Sequence, residues 1–77
     1  MIKPCYIDLE QARSVLAEIG VELTARQMKR AAESDAQGRR KLPFFIDPIE
    51  GKLKIEKQAL IAVYLRAQVA AERNLKL

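Results

Sequence analysis

The chain lacks histidine and tryptophan altogether and has a single cysteine, Cys5, among its 77 residues. Without histidine there is no Ser-His or Cys-His pair to activate a nucleophile. One thiol among scattered carboxylates is not a zinc ligand set, and it has no partner for an internal disulfide. No Gly-rich phosphate loop and no paired carboxylates on a predicted pocket wall are found. A non-enzymatic protein is therefore expected, with no metal and no cofactor. Cys5 itself reads as a small hydrophobe or an exposed residue near a terminus, because no basic cluster surrounds it to lower its pKa. Long apolar runs are missing as well. Nothing matches the about 7–15 residues of a signal-peptide core or the about 18 needed to span a bilayer. A lone thiol and no such segment lead to the expectation of a cytoplasmic protein that does not meet a membrane.

What is present is the composition of a folded domain, 49% hydrophobic and 31% charged, with a formal net charge of +4. A single domain over residues 1–77 is expected. A core of this size rarely supplies more than about 3–5 kcal/mol, which leaves room for a partner surface. The charge is unevenly distributed. Residues 1–25 hold two cations against four anions, whereas residues 26–57 hold nine cations against five anions. A positive stretch of that kind suits a phosphate-bearing partner.

Along the chain, residues 1–7 form a short lead, an arm or an edge strand, in which Pro4 discourages helix just before it. Asp8 is a helix cap with Gln11 at the third helical position, as in a capping box. Leu9, Ala12, Val15, Leu16 and Ile19 then make an apolar stripe that Gly20 ends. The start signal repeats at Thr24 and Gln27, with Leu23 and Met28 placed as a hydrophobic staple. This second helix, to about residue 33, turns Ala25, Met28, Ala31 and Ala32 inward and Arg26, Gln27, Lys29, Arg30 and Glu33 outward. The pair spans residues 8–33 and forms a helix-turn-helix pattern. Residues 34–40 read as a polar loop with Gly38. A hairpin is expected over 41–55, with Pro43, Phe44 and Phe45 as core beneath it and a turn at Asp47–Lys52. A last helix follows over about 56–73. Its apolar positions, among them Ile61 and Val69, occupy more than one face, so burial on two sides is expected, either against the helix-turn-helix and hairpin or partly in a partner, with self-association through this helix. The expected fold is mainly α with a β-hairpin, a winged helix-turn-helix of order α-α-β-β-α.

Arg26, Gln27, Lys29 and Arg30 stand in the first turns of the second helix, the part that meets base edges when such a helix enters the major groove. Arg suits guanine and Gln suits adenine. Thr24, Arg39, Arg40, Lys41, Lys52 and Lys54 flank that helix and are expected to grip phosphates.

The order of helix, turn, basic helix Thr24-Ala25-Arg26-Gln27-Met28-Lys29-Arg30, polar loop, Lys41-Leu42-Pro43-Phe44-Phe45, turn, Leu53-Lys54-Ile55 and a Leu/Tyr-bearing last helix resembles the excisionase-like winged helix of phages and mobile elements, related to MerR-type DNA-binding domains. The resemblance covers about residues 7–67 and departs from the family in its long 34–41 loop. It implies sequence-specific binding of double-stranded DNA, with the second helix in the major groove and the 47–52 wing at the neighbouring minor groove or backbone. It further implies either a recombination-directionality role, bending DNA and recruiting an integrase or recombinase, or transcription control in a mobile element. An alternative function on the same scaffold is a protein-interaction adaptor docking a partner through the last helix.

Overall fold

Each helix begins where a side chain can satisfy its free amides. In the computed structural model, which describes residues 3–74, α1 spans Leu9–Glu18, α2 spans Ala25–Ala32 and α3 spans Lys57–Asn74. Asp8 Oδ1 accepts from the Gln11 amide at 2.8 Å while Gln11 Oε1 accepts from the Asp8 amide at 3.0 Å, a complete capping box at the head of α1. Gly20 takes a φ of +92°, and the Val21 and Gly20 amides donate back to the Leu16 and Ala17 carbonyls at 2.8 and 3.1 Å. That is a Schellman stop, which needs a residue at ease in the left-handed region. Thr24 and Gln27 repeat the reciprocal box at the start of α2, and Leu23 and Met28 meet in the core as the staple requires.

The strands are short: β1 is Tyr6–Ile7, β2 is Phe45–Ile46 and β3 is Leu53–Glu56. They form a three-stranded antiparallel sheet of order β1-β3-β2. The lead is thus an edge strand, placed ahead of an element order compatible with the expected α-α-β-β-α. Ile7 lies opposite Ile55, both buried on the inner face, whereas Tyr6 opposes Glu56 and Phe45 opposes Lys54 on the outer face. Glu56 ends β3 and starts α3, its carboxylate accepting from the Gln58 and Ala59 amides.

The core is Ile7, Ala12, Leu16, Met28, Ala32, Leu42, Phe44, Ile55 and Leu60. Every element but β2 contributes; α1 and α3 pack on the sheet, and α2 packs against α1. Two expectations need correction. Ala25 is exposed and Ile19 is 47% exposed. Of the Pro43-Phe44-Phe45 run only Phe44 is core; Pro43 is exposed and Phe45, on the opposite face of the sheet, packs edge-on against Tyr6 with ring centroids 5.7 Å apart. In α3 only the first two turns are covered: Leu60 is buried, 61–64 are half-buried, and every residue from Leu65 to Arg73 is exposed. Its second apolar face has no cover among the described residues.

Candidate nucleic-acid interface

Met28 and Ala32 fix the roll of α2 by burying its inner side. The opposite side then carries Arg26, Lys29, Arg30 and Glu33, all exposed and spaced as one helical stripe. Among the described residues the ion pairs are Glu10–Arg13 at 2.9 Å, Asp35–Arg39 at 3.9 Å and Glu50–Lys54 at 3.1 Å. None of them engages Arg26, Lys29, Arg30, Lys41 or Lys52, so these five keep their full hydrogen-bonding capacity for another molecule.

The chain after α2 folds back beside it. Asp35 Oδ1 accepts from the Gln37 and Arg39 amides, both at 2.9 Å, and Ser34 pairs with Arg40 in an isolated bridge. The expected loop is therefore a closed turn. It is pinned to α2 by Arg40 Nε, which donates to the Ala32 carbonyl at 2.8 Å, and by the Leu42 amide donating to Ala31. An open cleft of about 400 Å³ results, lined by Arg30, Glu33, Ser34, Asp35, Arg39, Arg40 and Lys41. Four cations and two carboxylates thus line one solvent-open cleft, with Arg39 paired to Asp35.

Not all the residues expected at an interface are equally available. Gln27 Oε1 is bound to the Thr24 amide at 2.9 Å, and Thr24 Oγ1 accepts from the Gln27 amide at 3.1 Å. Both side chains serve the helix cap, leaving the Gln27 NH2 and the Thr24 hydroxyl proton for an outside contact. Arg40 uses its Nε internally. Lys54 lies against Glu50, whose hydrogen bond holds the lysine above its ordinary value and keeps it charged. Lys52 is exposed at the end of the hairpin turn.

The turn itself is built around Asp47. Its amide donates to the Lys52 carbonyl and its carbonyl accepts from the Gly51 amide, both at 2.8 Å. Its carboxylate accepts from the Ile49 amide at 3.1 Å, which draws its pKa below the ordinary aspartate range. Sequence reasoning placed Asp47 and Glu50 in the turn but assigned neither a bond within it, although Asp at the head of a turn is an Asx-turn signal. Ser34, Glu33 and Asp35 in the cleft were likewise not singled out. Ile61 is half-buried and Val69 is 41% exposed on α3.

Among the described residues no cluster of histidine, cysteine or carboxylate side chains could hold a metal ion, and no helix is long and apolar enough to cross a membrane. No protein family, curated protein or solved structure matches the chain.

Proposed function

We propose that the protein binds double-stranded DNA sequence-specifically as a winged helix-turn-helix, with α2 in the major groove and the β2–β3 hairpin as its wing. The observation that carries this reading is the outer stripe of α2. Arg26, Lys29 and Arg30 are exposed, have no ion-pair partner among the described residues, and run into the basic cleft of Arg39, Arg40 and Lys41. Arginines on such a stripe suit base edges, and a cleft of cations beside it suits the phosphates that set register. The resemblance to excisionase-like domains adds the physiological setting: recombination directionality alongside an integrase, or transcription control in a mobile element.

The test is an anisotropy titration of fluorescent duplex DNA from about 50 to 200 mM salt. Each phosphate contact is expected to contribute about −0.9 to the slope of log K against log salt. Affinity that is independent of salt, or no binding at micromolar protein, overturns the proposal.

A second reading, docking of a protein partner or a further copy through α3, is favoured by Leu65 and Val69, which are 62% and 41% exposed on the uncovered half of that helix. It expects salt-insensitive association that a charge at Val69 abolishes.

A further inference from the structure

The most exposed large apolar side chain among the described residues is Ile49, at 92%. It stands in the turn of the hairpin. Ile46, three residues before it, is 58% exposed, and Pro48 is exposed as well, whereas Leu53, which pairs with Ile46, is packed against the core. The backbone of the turn is held in place. The Asp47 carboxylate binds the Ile49 amide, the Asp47 amide and carbonyl close on Lys52 and Gly51, and Gly51 takes the left-handed φ of +70° that the turn needs. The charges around it balance, Asp47 and Glu50 against Lys52 and Lys54. Glu50 is neutralised by Lys54, Asp47 is engaged by backbone, and Lys52 is exposed and without an ion-pair partner among the described residues.

We propose that Ile49 is an intercalating wedge: resting on the DNA-binding reading above, the wing tip enters the minor groove and Ile49 inserts between two base pairs while Lys52 takes a flanking phosphate. Apolar side chains inserted in this way unstack a step and kink the duplex by about 20–90°. Pyrimidine–purine steps, TA and CA/TG, unstack most easily, so the wing selects such a step without any hydrogen bond to a base. A protein partner would need a broader apolar contact than these exposed side chains provide.

The experiment uses two 30-base-pair duplexes, one with a central TA step and one with a central A-tract. Each carries a donor and an acceptor dye at its ends, and a parallel set carries 2-aminopurine at the central step. The full chain is expected to bind both, and to raise 2-aminopurine fluorescence and end-to-end energy transfer mainly on the TA duplex. Ile49→Ala is expected to keep affinity within about threefold while both signals fall to those of free DNA. Ile49→Phe, which keeps an insertable apolar group, retains them. Because the side chain touches solvent, both variants should melt with the parent, which circular dichroism checks. An Ile49→Ala complex that bends and unstacks DNA like the parent overturns the wedge and leaves the DNA-binding reading standing. No anisotropy change on either duplex overturns both.

Discussion

Gln27 shows how a side chain suited to one task is drawn into another. Its type and position fit an adenine reader, but its carbonyl oxygen caps the helix that would present it. Loss of the reciprocal bond should therefore be read in stability first. Thr24→Ala is expected to cost about 1 kcal/mol, visible as a lower melting temperature. An unchanged melt would mean that the box contributes nothing. Arg26 and Arg30 have no such internal duty. Alanine at either is expected to cost about 1–3 kcal/mol on the preferred site and to relax choice at one base position. Lys52→Ala should instead weaken binding evenly across sequences and reduce the salt slope by about one contact. A panel of single-base variants decides between them: altered base preference with Lys52→Ala and even weakening with Arg26→Ala would exchange the roles of helix and hairpin. Arg40→Ala is a less clean probe, since its Nε also ties the turn to α2.

Helix α3 is two structures in one element. Its first turns belong to the core and the remainder lies outside it, so substitutions along it should divide sharply. Leu60→Ala, at a fully buried position, is expected to lose about 2–5 kcal/mol. Val69→Glu should leave the melting temperature within about 2–4 degrees, surface changes usually lying within about 0.5 kcal/mol. Any effect of Val69→Glu would then appear as weaker association in sedimentation; a fall in melting temperature like that of Leu60→Ala would place Val69 in the core. Ile61, being half-buried, cannot separate the two. The junction before α3 adds a pH dependence. The Gln58, Cys5 and Ala59 amides donate to the Glu56 carboxylate, and these bonds hold its pKa below the ordinary glutamate value. The stabilisation is complete above that ordinary value and is lost as the pH falls toward the depressed folded one. Glu56→Gln should accordingly flatten the decline in melting temperature as the pH falls through and below the ordinary glutamate range; a decline as steep as the parent's would remove Glu56 from acid sensitivity.

In the molecule as a whole, what could be read from sequence was what is decided within a few residues. Both capping boxes and the stop at Gly20 are local, and they stand where the spacing put them; of the α1 stripe, Ala12 and Leu16 do so while Ile19 does not. Phe44 and Phe45 could not be told apart, because a two-residue strand has too little alternation to show which face is inner without its partner. Tyr6–Ile7 as a paired strand depends on residues some fifty positions away. The candidate site was legible in charge but not in availability. Nothing local says that Arg40 turns back to Ala32, or that Lys54 is matched by Glu50 across the hairpin turn.

The pairing of β1 with β3 has a kinetic side. The Lys57 amide closes on the Cys5 carbonyl at 2.8 Å, and Cys5 and Glu56 are bonded across a separation of 51 residues. Joining ends so far apart costs about 3.5 kcal/mol of chain entropy beyond a constant, and contacts of such separation are among the slowest to form. On the ribosome the opening strand must wait through synthesis of both capped helices and the hairpin. Until Ile55 follows, Ile7 has no apolar cover on the sheet. Of these three strands, β1 is thus made first and paired last, and arrest of translation before β3 leaves two well-started helices with no sheet to close them.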